Sequence, residues 1–192
     1  MNVYEAATKR RTVRKFKQDR IQADILKKFV DAARLSPQGA NLQALKYIIV
    51  TEKTLTDIIF TATSWAGYIR PTHNPQENER PVAYIVPLVD SEIKNTNYDN
   101  DAGAAIQTIL LTAYEEGIAS CWLGAINKEI IKNTLEIPDK YIIHSLIALG
   151  YPAESPEVVK VGEDGSIKYY KDESGVLHVP KRCLDDVLIM VK

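Results

Sequence analysis

Cysteine is scarce. The chain has two in 192 residues, Cys121 and Cys183, with no metal-ligand spacing and no basis for a disulfide framework. Histidine numbers three. His73, His144 and His178 lie far apart in sequence and form no metal pattern, so no metal site is expected. No run approaches the ~18 continuous apolar residues that a membrane helix needs. The N-terminus lacks the apolar core of a signal peptide, and Glu5 together with an immediate helical pattern argues against a transit peptide. No G-x-G-x-x-G follows a strand, and no Walker-type loop is present. There is no G-x-S-x-G nucleophile elbow. Charge of one sign is also lacking. The net charge is -1, which gives the whole molecule no pull toward nucleic acid or a membrane surface. These absences leave a cytoplasmic, metal-free chain whose function must sit in local features.

The length fits one domain. At 45% hydrophobic and 26% charged residues, the composition is that of a globular protein with a sizeable core. Asn2-Val3-Tyr4-Glu5 reads as a capped helix start, with Glu5 at the third position. Ile25, Leu26, Phe29, Val30 and Ala33 recur at helical spacing, which predicts a helix over 22–35, ended by Pro37 and Gly39. Residues 46–51 (KYIIVT) form a β-branched run and predict a strand. A helix over about 54–63 follows. Residues 64–81 are irregular and long for a connector, which suggests a lid. Residues 82–89 predict a strand, with Pro87 arguing for an edge or a bulge. The clearest helix is 101–116, where Ala102, Ala105, Ile106, Ile109, Leu110 and Ala113 share a face and Gly117 is the stop. Gly103, Ala104 and Ala105 are small enough to let another backbone approach. A strand over 118–126, a helix over 128–135 and a buried strand over 142–149 complete the core. The polar tail, 153–192, reads as an arm that packs on the core or on a partner subunit, with turns at 163–165 and 173–175.

Four constellations carry chemistry, and each has a plainer alternative. Arg10, Arg11 and Arg14 cluster as guanidinium groups do around a phosphate, or as a solvated basic face does. Pro37-Gln38-Gly39-Ala40-Asn41-Leu42-Gln43 offers amides that match a heteroaromatic ring edge, or simply a helix-to-strand turn. Ser120-Cys121-Trp122-Leu123-Gly124-Ala125 runs a strand into a glycine, where backbone N–H groups can face a ligand, or is a core strand with Trp122 and Leu123 packed inward. Val179-Pro180-Lys181-Arg182 adds late cations to a phosphate site, or two surface charges. Cys121 has no histidine spaced to activate it and reads as a buried small hydrophobe. Asp99 and Asp101 read as charge complements at a helix N-terminus.

In this order the segments resemble the nitroreductase family. RRTVRKF is similar to that family's Arg-Arg-Ser-x-Arg-x-Phe, SPQGANLQ to its Pro-Ser-x-x-Asn-x-Gln loop, SCWLGAI to its Cys/Trp-x-Gly strand and LGYP to the close of its last core strand. Thr12 stands for the usual Ser, Gln38-Gly39 for Ser-Ser or Ser-Gly, and Ala44-Leu45 for Pro-Trp. The resemblance implies an α+β fold with a mixed, largely antiparallel central sheet flanked by helices, whereas strand–helix alternation alone would suggest a parallel sheet. It implies a homodimer with FMN at the interface. Arg10, Arg11, Thr12 and Arg14 would hold the phosphate, ribityl and pyrimidine side. Pro37, Gln38, Gly39, Asn41 and Gln43 would reach the flavin from the other subunit. Trp122, Leu123 and Gly124 would line the ring, and Lys181 and Arg182 would complete the phosphate site. Trp65, Tyr68 and Arg70 of the lid would meet the substrate.

The implied activity is two-electron transfer from NAD(P)H through flavin N5 to a nitroaromatic, quinone or similar small-molecule oxidant, by a ping-pong mechanism. No side chain stands out as the catalytic group, because the flavin carries the chemistry. Two alternatives stay open at this level. One is a same-fold FMN enzyme that dehalogenates or oxidises a C–C bond. The other is a non-enzymatic FMN carrier or nucleic-acid-binding protein.

Overall fold

Side chains alternate between two apolar layers along the central strands, and that alternation sets the architecture. The computed structural model describes residues 1–69 and 73–192. Strands β1 (Leu45–Val50), β2 (Ala83–Asp90), β3 (Ala119–Leu123), β4 (Tyr141–Ile143) and β5 (Leu146–Gly150) form a five-stranded sheet. Its order is β1-β2-β5-β3, with β4 also beside β2. Every ladder in it is antiparallel. On one face, Tyr84, Val86, Leu88, Cys121, Leu146 and Ala148 pack with Ile59 of α3 (Lys53–Thr61) and Ile131 of α5 (Lys128–Thr134). On the other, Ile85, Val89, Ile147 and Leu149 pack against α2 (Ala23–Arg34) and α4 (Asp99–Glu115). The expected α+β class holds.

The helices follow their sequence signals. α1 (Val3–Lys9) starts with a capping box: Asn2 Oδ1 accepts the Glu5 N–H at 2.8 Å and Glu5 Oε2 accepts the Asn2 N–H at 3.1 Å. Such a cap is worth about 1 kcal/mol. α2 buries Leu26, Phe29 and Ala33, spaced to share one stripe. Burying a Leu or Phe side chain contributes roughly 1.5–3 kcal/mol. α4 begins two residues before its predicted start, buries the whole predicted apolar face, and is stopped at Gly117 with φ +72°.

Two strand expectations need correction. The apolar run 142–149 is two strands, with His144 and Ser145 between β4 and β5. Pro87 does not mark an edge, because β2 is paired on both sides. It is tolerated because the neighbouring strand breaks opposite it. The His144 N–H donates to the Pro87 carbonyl at 3.0 Å, and the nitrogen that lacks a hydrogen falls at the gap in the ladder. The arm carries its own three-stranded sheet of β6 (Glu157–Lys160), β8 (Leu177–Lys181) and β7 (Tyr170–Lys171). β6 runs parallel to β8, and β7 runs antiparallel to it. Gly165 and Gly175 have φ of +68° and +84°, as the two predicted turns require. No helix among the described residues is long and apolar enough to cross a membrane.

Candidate functional site

The basic segment is a structured ridge. Thr12 bridges Ser120 of β3, Val13 donates its N–H to the Ser120 carbonyl at 3.1 Å, and Phe16 bridges Pro152. Phe16 is fully buried, and a Cβ on Gly150 would lie 2.7 Å from its Cβ. Gly150 is therefore glycine because the ring of Phe16 occupies that space. The cations are fixed one by one. Lys15 pairs with Glu79 at 2.7 Å. The Arg14 N–H donates to Glu154 Oε1 at 2.6 Å, while its guanidinium lies 5.0 Å over the Tyr169 ring. Glu154 also contacts Nε2 of the buried His73 at 2.9 Å. Burial would push the Glu154 carboxyl up, but His73 and the Arg14 N–H outweigh it and bring it below the usual range.

Arg10 and Arg11 line a cavity of 440 Å³ with Ser120, Tyr114, Pro152 and Glu154. Burial and then the charge of Arg11 lower the Arg10 pKa. Arg10 Nε and Ser120 Oγ are buried with no hydrogen-bond partner among the described residues. A half-dry guanidinium beside a second cation, with a vacant donor, is a site that an anion would stabilise. Arg11 folds back on the carbonyls of Thr8 and Arg10. It would share or release those contacts to reach a phosphate.

The amide loop is strained. Ala40, Asn41 and Gln43 have φ of +51°, +55° and +53°. Such conformations cost non-glycine residues about 1–3 kcal/mol each and concentrate at ligand clamps. Pro37, Asn41 and Gln43 are exposed, while Gln38 Oε1 is buried without a partner among the described residues. The loop is tied to α4: the Gly39 N–H donates to Asp101 Oδ1 at 2.9 Å, and Ser36 Oγ meets Thr108 Oγ1 at 2.9 Å. Asp101 is thus more than a helix-end charge complement.

The strand segment departs from its core reading. Leu123 is buried, but Trp122 is 42% exposed. The Trp122 indole N–H donates to Ser145 Oγ at 2.7 Å, and Ser145 Oγ lies 3.0 Å from His144 Nδ1. Among the described residues nothing lies within 4 Å of where a Gly124 Cβ would be, so that backbone is open there. Cys121 is buried, and burial pushes its thiol up to about 11.

The lid divides. Trp65 is 3% exposed, stacks on Phe60 and donates to Thr63 Oγ1. It supports the segment from within, so its expected part as a substrate contact is revised. Tyr68 is 55% exposed and packs its ring 4.9 Å from Tyr169. Arg70 lies outside the described residues. Lys181 and Arg182 are exposed at the end of β8, and no hydrogen bond or ion pair among the described residues joins them to Arg10 or Arg11. Sequence reasoning missed Asp101, Ser120, Glu154 and Tyr169 as parts of the site. Ser120 sat inside a noted motif, and Tyr169 sat in the aromatic pair of the arm. No group of three or more His, Cys, Asp or Glu able to hold a metal occurs among the described residues.

The profile of the family described as Nitroreductase family matches residues 7–151. The chain belongs to the nitroreductase family. A Methanothermobacter thermautotrophicus protein with the provisional name NADH dehydrogenase/NAD(P)H nitroreductase is 29% identical over 162 residues, covering 81% of this chain and 80% of its own. A nitroreductase family protein from Clostridium novyi NT matches in structure with TM-score 0.67 and 29% identity, covering 81% of this chain and 87% of that one. An FMN-dependent nitroreductase from Clostridium difficile R20291 gives TM-score 0.66 and 27% identity, covering 80% and 90%. The family match ends before the arm, so the stacking of Tyr169 on Arg14 and Tyr68 lies outside it.

Proposed function

We propose that this nitroreductase-family chain is a cytoplasmic FMN-dependent oxidoreductase that passes two electrons from NAD(P)H to a nitroaromatic, quinone or similar small-molecule oxidant. The observation that carries the reading is the half-buried pair Arg10 and Arg11, which line a cavity of 440 Å³ while Arg10 Nε is buried without a hydrogen-bond partner among the described residues. When bound, FMN supplies the redox chemistry between donor and oxidant. Arg10, Arg11 and Thr12 hold its phosphate and ribityl side, with Lys181 and Arg182 completing the phosphate contacts. Arg14, steadied by Tyr169 and Glu154, holds positive charge beside the ring. The open backbone of Gly124 with Leu123 and Trp122 lines it, and Tyr68 limits the shape of the oxidant. Both free cysteines suit a reducing compartment.

The amide loop comes from a second copy. Within one chain it is tied at Asp101 and Thr108, whereas Arg10 and Arg11 share their cavity with Tyr114 and Glu115. Along α4, at 1.5 Å per residue, Tyr114 stands about 20 Å from Asp101 and about 9 Å from Thr108. The chain then acts as one domain whose arm, 153–192, covers its own lid through Tyr169. A nucleic-acid reading is disfavoured because part of the basic segment is already engaged: Lys15 pairs with Glu79 and Arg14 lies over the Tyr169 ring. The test is the absorption spectrum of the purified protein, with mass analysis of the released chromophore. A flavin spectrum and the mass of FMN are expected. A protein that stays colourless after incubation with FMN overturns the reading.

A further inference from the structure

We propose that Asp101 is a positioning residue for the cofactor: its carboxylate, fixed by Lys94, holds the loop 37–43 in the conformation that meets the flavin ring. This rests on the FMN reading above. The Asp101 side chain is 9% exposed and that of Lys94 14%, with Lys94 Nζ 2.5 Å from Asp101 Oδ2. The other carboxylate oxygen accepts the Gly39 N–H at 2.9 Å. A charge that only complemented a helix dipole would stay in water. This one is withdrawn from water and spent on a loop backbone and an ammonium. Burial would raise its pKa, but Lys94 and the Gly39 N–H outweigh that and leave it below the usual range.

The loop needs such a latch. Three of its non-glycine residues, Ala40, Asn41 and Gln43, sit at positive φ, and strain of that kind persists only where the surroundings over-determine it. Gly39 has no room for a side chain at ease, since a Cβ would lie 3.2 Å from Lys94 Nζ and 3.6 Å from Asp101 Oδ1. The ion pair therefore lies beside Gly39, joined to the loop backbone by the Gly39 N–H. A second tether lies two helical turns along the same stripe of α4, where Thr108 meets Ser36 at 2.9 Å. Beyond the loop, Ala44 is buried and its carbonyl accepts the Asp90 N–H at 2.9 Å. Residues 40–43 are thus an exposed span between fixed ends. Asp101 touches no cofactor in this scheme. It acts through Gly39 on Asn41 and Gln43.

The test compares FMN with riboflavin, which lacks the phosphate, in fluorescence titrations of apo-protein. Arg10→Ala should weaken FMN at least tenfold and riboflavin by a much smaller factor. Asp101→Ala should weaken both flavins by a similar factor, about tenfold (about 1.4 kcal/mol). Asp101→Asn keeps an oxygen acceptor for the Gly39 N–H and should recover most of that loss. The midpoint potential of FMN bound to Asp101→Ala should also move, because ring hydrogen bonds favour one redox state over the other. Wild-type affinity for both flavins in Asp101→Ala, or a deficit confined to FMN, overturns the proposal. An unmoved potential reduces Asp101 to a structural part and overturns it too. If Asp101→Ala is insoluble, Thr108→Val carries the test, with an equal deficit for both flavins as the expected result and wild-type affinity as the contrary one. Failure of Arg10→Ala to weaken FMN strikes the phosphate site instead, independently of this result.

Discussion

Gly150→Ala should damage both the fold and cofactor binding. The added Cβ would stand 2.7 Å from Phe16 Cβ, 2.8 Å from Cδ1 and 2.9 Å from Cγ, where ordinary contact begins near 3.4 Å. Phe16 is fully buried, so its ring has nowhere to swing, and one of the two backbones must move by a large part of an ångström. Overpacking of this kind costs about 1–3 kcal/mol. For a chain of this size each kcal/mol is about 2–4 °C in Tm, so a fall on the order of 2–12 °C is expected. The Phe16 N–H donates to the Glu79 carbonyl at 2.9 Å, and the Lys15 carbonyl accepts the Ala153 N–H at 2.9 Å. A shift of Phe16 therefore displaces Arg10–Arg14, and FMN affinity should fall with Tm. The assay is differential scanning fluorimetry at fixed protein concentration plus an FMN titration, with Gly67→Ala as a control because no atom of the described residues lies within 4 Å of its added Cβ. A Gly150→Ala protein with the Tm and affinity of wild type would refute the argument that Phe16 anchors the cation segment.

Further outcomes are expected. Gly103→Ala places a Cβ where, outside its own helix backbone, no atom of the described residues lies within 4 Å; if α4 packs on a second copy it should weaken the dimer in analytical ultracentrifugation, and a higher Tm with unchanged association would contradict that. Tyr169→Ala removes the ring under Arg14 and should weaken FMN about 2–5-fold, in line with a cation–π contact of about 0.5–1 kcal/mol; an unchanged Kd would detach the arm from the site. Glu154 has its folded pKa depressed, so its stabilisation is present above its ordinary range and is lost as pH falls through the folded value; the Tm gap between wild type and Glu154→Gln should be largest near neutral pH and close in acid, and a gap that widens in acid would contradict it. Initial rates with NADH or NADPH and a quinone should give parallel double-reciprocal lines, because no second nucleotide motif accompanies the one site; intersecting lines would require a ternary complex. Iodoacetamide at pH 8 should spare Cys121, which is buried and whose thiol burial pushes up to about 11; modification of Cys121 in folded protein, seen by peptide mass analysis, would contradict its burial.

The helices were legible because caps, apolar stripes and stops agree: Asn2 with Glu5, the face of α4, and Gly117. The break at His144 and Ser145 was not, since the apolar run continues across it and only the missing N–H of Pro87 on the neighbouring strand reveals a gap. The cations and the amide loop were legible as residue types in order. Their settings were not. Nothing near Asp101 in sequence shows that its carboxylate reaches back 62 positions to Gly39, or that Glu154 reaches Arg14 across 140. Trp65 shows the opposite failure. An aromatic in an irregular polar segment reads as a ligand contact, yet Phe60 and Thr63 beside it draw it into the core.

The most direct measurement of the central claim is anaerobic rapid mixing of the FMN-loaded protein with NADH or NADPH, followed by a second mix with a quinone or nitroaromatic. The account predicts that flavin absorbance is lost in the first step and restored in the second, with one oxidant molecule consumed per flavin. Absorbance that neither nicotinamide diminishes would contradict it and assign the site to another electron donor.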